Sequence, residues 1–339
     1  VWKQGRLLTE PALVLPGAAG EAPQPIALAL APEFPPPPHL FVLHDGGSAS
    51  GDPVLARYTV DGDRADLETR KILLPKKDSS PEAQPMRHGF PGGALCFGPD
   101  GTLWVAVADR TAGDAGVRVG SFGGKIYCVQ PDGTPPAKNP FRNRLDRRFH
   151  PVFATGVLDP SGMALQPPWD GGRVFFADRR GGRTLIHELV AGSNYGDPGG
   201  PDSDFDDESR APRYSDETGG IPDVAGGAFC SRRSSWPAEW RGRYFFSSPS
   251  GHAIHALEPD PAATPVLYAQ GLEHPVAMEF GADGSLLVLN RGAGWDNANA
   301  AERGTGSLIR IRNVAPGATP MAAMPLGSTV PGYRVELGL

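Results

Sequence analysis

Five times along this 339-residue chain a short apolar strand, a turn and a second apolar strand follow one another. The first members are 26–30, 94–97, 162–165, 227–230 and 276–280, and the second are 40–43, 103–107, 174–176, 244–246 and 286–289. Such self-similarity constrains the fold more than any motif, because one repeat cannot bury its apolar face alone and has to stack on its neighbours. Two of the turns, Gly98-Pro99-Asp100-Gly101 and Gly281-Ala282-Asp283-Gly284, carry the Asp-Gly pair that closes hairpins. Third strands are expected at 125–129 and 307–311, and fourth strands at 152–154 and 266–269. A radially repeated unit of about four antiparallel strands is the blade of a β-propeller, an all-β fold.

The repeats start at 26, 93, 162, 226 and 276, separated by 67, 69, 64 and 50 residues. That exceeds a bare blade, so the loops carry insertions. Five blades are legible. Segments 5–17 and 330–339 read as strands of a further blade or as closing strands, so six blades are expected, with five as the alternative. The expectation is one propeller domain over 1–339, with an acidic insertion at 201–217 and a Pro/Ala/Gly-rich tail and closing strand over 313–339.

Composition narrows the alternatives. With 45 Gly and 37 Pro, a helical bundle or coiled coil is excluded, since both residues break helix interiors. The 40% hydrophobic content supports a sizeable core. No apolar run is long enough to span a bilayer. A net charge of −6, without a basic strip interleaved with aromatics, argues against a nucleic-acid partner. The three cysteines, Cys96, Cys128 and Cys230, sit in apolar surroundings and read as buried free thiols. The sequence opens at Val1 with no signal peptide, so its compartment is not read from its start.

No nucleophile elbow, Walker loop or His-Glu-x-x-His is present. Asp202, Asp204 and Asp206 alternate in an acidic loop, an oxygen-rich spacing that suits Ca2+, although the Gly and distal Glu of an EF-hand are missing. Radial symmetry can bring distant histidines together, and His44, His88 and His274 are candidates for a transition-metal site. His252 and His255 flank a strand start and are expected on different faces. Trp236 and Trp240 are expected to pack beneath a loop rather than stack on a sugar.

Several stretches of this chain resemble the glucose/sorbosone dehydrogenases. They are HGFPGGALCFGPDGTLWVAVADR (88–110), GGKIYCVQPDGTPPAKNPF (123–141) and ELVAGSNYGDP (188–198). Weaker echoes follow at GVLDPSGMAL (156–165), SSWPAEWRGRYFF (234–246) and HPVAMEFGADGSLLVL (274–289). The resemblance implies a six-bladed propeller that oxidises a sugar hydroxyl by hydride transfer to pyrroloquinoline quinone (PQQ), with Ca2+ beside the quinone. It places the general base at His88 and the Asp that orients it at Asp109; an imidazole paired with a carboxylate suits that work.

The family's Gly-Leu-Arg-Asn-Pro reads here as Gly156-Val157-Leu158-Asp159-Pro160, and its Arg-x-Arg falls on His274 and Val276. Its paired calcium acids fall near Thr184 and Leu185, beside a basic run holding Arg179, Arg180 and Arg183. A tricarboxylate needs cationic partners, so Asp159, Arg179, Arg180, His274 and Arg291 are the expected cofactor contacts. The resemblance further implies a small sugar substrate, a cytochrome as electron acceptor and a periplasmic or extracellular setting. The alternative is a related propeller that has lost PQQ and acts as a metal-dependent enzyme or a binding module.

Overall fold

The computed structural model describes residues 2–3, 6–15, 23–32, 38–45, 53–74, 92–109, 122–196, 208–216, 219–260, 263–292, 306–313 and 333–338. The fold is an all-β propeller with five blade sheets, and its described helical structure is two 3₁₀ turns at Arg147–Phe149 and Pro168–Asp170. No described helix is long and apolar enough to cross a membrane.

In chain order, β1 (Trp2–Lys3) and β2 (Arg6–Leu7) pair, among the described residues, with each other. Blade 1 runs β3 (Pro25–Leu30), β4 (His39–His44), β5 (Val54–Asp61) and β6 (Arg64–Leu74). Blade 2 contains β7 (Gly93–Phe97), β8 (Leu103–Val107), β9 (Lys125–Val129) and β10 (Val152–Thr155). Blade 3 is β11 (Pro160–Leu165), β12 (Val174–Arg180), β13 (Arg183–Glu188) and β16 (Tyr214–Ser215). Between β13 and β16 the chain leaves to add β14 (Ser193–Asn194) and β15 (Glu208–Ser209), paired in parallel, to the outer edge of blade 2. Blade 4 is β17 (Gly227–Phe229), β18 (Tyr244–Ser248), β19 (Ala253–Leu257) and β20 (Val266–Gln270). Blade 5 is β21 (Pro275–Phe280), β22 (Leu286–Asn290), β23 (Ser307–Asn313) and β24 (Tyr333–Gly338).

The C-terminal strand is therefore the fourth strand of blade 5, registered Leu308↔Gly338 through Asn313↔Tyr333, and opens no further blade. Among the described residues five blades are present, the number legible in the sequence, and no sixth is among them.

Two compact units divide the chain. One is Leu8–Pro160 with Leu189–Ala211, and the other is Ser161–Glu188 with Pro212–Leu339 and Trp2–Leu7. In the first, Phe41, Leu43, Leu55, Leu103, Val105, Tyr127 and Val129 build a common core for blades 1 and 2. In the second, Phe245, Ile254, Met278, Leu286, Val288 and Ile309 join blades 4 and 5. Every residue of β8 and β18 is buried. A strand covered on both faces reads as a continuous apolar run rather than an alternation, which is why these second strands stood out in the sequence.

Trp236 is buried against Phe245, Tyr268 and Phe280, and its Nε1–H donates to Gly284 O at 2.7 Å. Trp240 packs on Tyr268 with Arg243 over its ring. Trp236 thus packs between blades 4 and 5, and Trp240 is half-buried on blade 4. All three cysteines are free and buried.

One turn is used three times. In 98–102, 130–134 and 281–285 the Oδ1 of Asp100, Asp132 or Asp283 accepts both the main-chain N–H and the hydroxyl of the Thr or Ser two residues on. The intervening Gly has φ of +74, +87 and +77, a conformation that costs glycine little. A cation from an adjoining segment then pairs with two of these carboxylates, Lys138 with Asp100 and Arg310 with Asp283. Burial pulls the Asp100 carboxyl up, but Lys138 and the Thr102 donors outweigh it and hold it at about 2.

Candidate active site

Among the described residues, Asp109, Asp159, Arg179, Arg180, His274 and Arg291 each lie at the end of a blade where its first strand begins and its second ends. Antiparallel pairing makes that juxtaposition automatic.

Within the first unit, blade 2 carries the Asp109 end. Gly93 faces Val107, Ala108 N–H donates to Gly92 O at 3.2 Å, and Asp109 N–H donates to Leu158 O at 2.8 Å. The Asp109 main chain is thus tied to the Gly156–Pro160 segment. Asp159 closes the other side: its carboxylate packs so tightly on Gly92 that a methyl group there would clash with it. Asp109 and Asp159 are therefore brought to the same end of the same unit, beside the chain that leads back to His88. His88 lies outside the described residues.

Lys125, which composition and motifs did not single out, belongs to this end as well. It is fully buried at the start of β9, opposite Val107 and Thr155, and its Nζ donates to Gly123 O at 3.2 Å. Gly123 in turn lies against Ala108 O and Asp109 Cα. A charged residue heading the run Lys-Ile-Tyr-Cys-Val was the available signal, because an ammonium rarely enters a core without a task. In blade 1, His44 is buried with its Nδ1 against Asp45 O. Burial lowers its pKa, Arg70 adds to that, and the Asp45 carbonyl opposes it.

Within the second unit, Arg179 and Arg180 end β12 and Arg183 begins β13, with Arg180 registered against Arg183 across the two-residue turn Gly181-Gly182. Those glycines have φ of +58 and +79, the signature of a primed hairpin turn. The basic run is thus a hairpin tip. Arg179 and Arg183 are exposed there, while Arg180 pairs with the buried Asp178 at 3.4 Å. Behind the tip, His187 stacks on Phe176 with ring centroids 5.2 Å apart. Burial first, and Arg180 second, hold it neutral with a pKa near 3.

His274 precedes β21, and its carbonyl accepts the Arg291 N–H at 3.0 Å, so these two expected cofactor contacts are also adjacent. Thr184 is buried and donates through its hydroxyl to Ile221 O at 2.9 Å, a packing role. Asp202, Asp204 and Asp206 lie outside the described residues. Among the described residues no group of three or more His, Cys, Asp or Glu is placed to hold a metal ion. Of the candidate set His44, His88 and His274, His88 lies outside the described residues.

The donor chemistry of the second unit suits an anionic cofactor. Arg179 and Arg183 at the hairpin tip and Arg291 beside His274 are guanidiniums, which grip carboxylates by paired hydrogen bonds.

Comparison with known proteins identifies the family and the fold. A family model for Glucose / Sorbosone dehydrogenase matches residues 26–270. An oxidoreductase described as a glucose dehydrogenase, from Thermus thermophilus, is 25% identical with a TM-score of 0.70, over 91% of this chain and 88% of that one. The soluble aldose sugar dehydrogenase of Escherichia coli, in its apo form, is 18% identical with a TM-score of 0.68, over 85% of each chain. The PQQ-bound aldose sugar dehydrogenase of Streptomyces coelicolor is 19% identical with a TM-score of 0.64, over 88% of this chain and 81% of that one. No curated protein matches the chain. With repeats, blade sheets and a family match over most of its length in agreement, the chain belongs to the glucose/sorbosone dehydrogenase family.

Proposed function

We propose that this protein is a PQQ-dependent sugar dehydrogenase whose proton chemistry is carried by His88 and Asp109. The observation that carries the reading is the anchoring of Asp109. Its main chain is hydrogen-bonded to Leu158 O, next to the Gly92 backbone that His88 precedes by four residues. A carboxylate held there orients an imidazole and favours its charged form as it takes the proton of a sugar hydroxyl. When bound, the quinone supplies the two-electron acceptor. Arg179, Arg183 and Arg291 would hold its carboxylates, with Arg180 and His274 lining the same ends of their blades. Asp159, beside Asp109, would accept from a substrate hydroxyl.

A small sugar as substrate, Ca2+ beside the quinone, a cytochrome as acceptor and a periplasmic or extracellular setting complete this reading by kinship with the family. A propeller without the quinone is favoured by one specific observation. Leu158 and Asp159 stand where the family has Arg and Asn, so a cation is missing and a carboxylate has been added.

Calorimetric titration of the metal-stripped protein with PQQ, with and without Ca2+, separates the two. One tight Ca2+-dependent site, followed by dye-linked oxidation of an aldose, is the expected result. Absence of binding at high PQQ concentration sinks the dehydrogenase and leaves a metal-dependent enzyme or a binding module.

A further inference from the structure

Two histidines of the second unit are tied to each other through their own backbones. His252 sits in the turn between β18 and β19, and His274 sits immediately before β21. Pro249 O accepts the His252 main-chain N–H at 3.0 Å and faces His274 Nδ1 at 3.2 Å. Leu272 O accepts the His274 main-chain N–H at 3.2 Å and faces His252 Nδ1 at 2.9 Å. Each carbonyl therefore holds the main chain of one histidine and the ring of the other. A carbonyl only accepts, so the proton is assigned to Nδ1 in both rings and Nε2 is the basic nitrogen in both.

The rings stand with centroids 4.4 Å apart at an interplanar angle of 47°. His252 and His274 also have φ of +54 and +55, and they are the only non-glycine residues with positive φ among the described residues. Such a conformation is strained outside glycine and persists where the surroundings over-determine it, often at ligand clamps. Here the crossed hydrogen bonds supply that constraint.

We propose that His252 and His274 form a two-imidazole site for a borderline divalent transition metal, Cu2+, Ni2+ or Zn2+, bound through the two Nε2 atoms with water completing the coordination. A ring nitrogen bonded to a backbone carbonyl is the outer support that aims a metal-ligating histidine. Imidazole pairs select these ions over Mg2+ and Ca2+, with Cu2+ held most tightly. His252 is exposed and gives entry, while His274 is buried and anchors the site. The proposal shares His274 with the quinone reading but not His252 or the His88–Asp109 pair, and metal binding measured without PQQ tests it separately.

The test uses the tag-free full chain, with Ni2+ titrated by calorimetry and Cu2+ followed by electron paramagnetic resonance. One Ni2+ per chain and a Cu2+ spectrum with two equatorial nitrogens are expected. His252→Gly and His274→Gly should each weaken Ni2+ binding at least about tenfold, while His255→Gln, on the neighbouring strand, leaves it unchanged. Glycine accepts positive φ, so these variants keep the fold that an alanine would strain. His252→Asn, which also tolerates that conformation, provides a second variant. Failure of the parent to bind Ni2+ at millimolar concentration, or parent-like binding by the glycine variants, overturns the site. So does a Cu2+ spectrum with one nitrogen or none.

Discussion

Replacing Gly227 by Ala tests whether blades 3 and 4 are spaced by glycine. A methyl group at Gly227 would stand 2.6 Å from Tyr244 Oη and closer still to Gly162 O. Those two atoms are themselves hydrogen-bonded at 2.5 Å, so the methyl wedges into a buried donor–acceptor pair that links the second strand of blade 4 to the first strand of blade 3. Overpacking costs roughly 1–3 kcal/mol, and the weakened hydrogen bond adds about 1 kcal/mol. A loss of roughly 3 kcal/mol is expected in urea unfolding followed by tryptophan fluorescence. With an unfolding entropy of about 2 cal/mol/K per residue, that corresponds to a melting shift of roughly 4 °C for a chain this long.

Gly181→Ala is the contrasting case. Its φ is +58 but nothing lies within 4 Å of the new methyl, so only the backbone conformation is penalised, by about 1 kcal/mol. Adding Tyr244→Phe to Gly227→Ala should recover part of the loss by removing one of the two clashing atoms, a coupling expected of residues in contact. A Gly227→Ala variant no less stable than Gly181→Ala would refute the reasoning, as would strict additivity in the double variant.

Two further perturbations address charge. Asp100 is held at about 2 against an ordinary 3.8, so its contribution is complete above the ordinary value and fades as pH falls towards 2. Asp100→Asn should cost about 1 kcal/mol at neutral pH once solvent screening of this partly exposed pair is allowed for, and acid titrations of variant and parent should converge near pH 2. At the site, Asp109→Asn should lower kcat about a hundredfold or more while leaving PQQ binding intact; dye-linked kinetics beside calorimetry check both halves.

Much of the fold could be read before any coordinates. The buried second strands and the Asp-Gly turns announced themselves because continuous burial leaves apolar runs, and a Gly at positive φ marks where a hairpin closes. What escaped the reading has physical causes too. β6 is polar over most of its length and lies at a blade's outer edge, where nothing forces an apolar pattern. Arg179-Arg180-Gly181-Gly182-Arg183 reads as a loop, yet its arginines are strand residues, because a two-residue turn lets charges project from a hairpin tip. β15 and β16 sit inside an acidic stretch whose composition hides two-residue strands. At the site, Asp109 and Asp159 were legible from motif order, but their shared anchorage was not, since it depends on a Leu158 carbonyl. The His252–His274 arrangement left no sequence signal, because a positive φ at a non-glycine residue is set by the surrounding chain.

The cysteines give the molecule an unplanned pair of clocks. Burial pushes the Cys128 and Cys230 thiols up to about 11, so in the native state they stay protonated and deaf to alkylating reagents. Cys96 and Cys128 belong to one compact unit and Cys230 to the other. A thiol reagent therefore counts each half's openings separately, and the order in which the mass increments arrive tells which half lets go first.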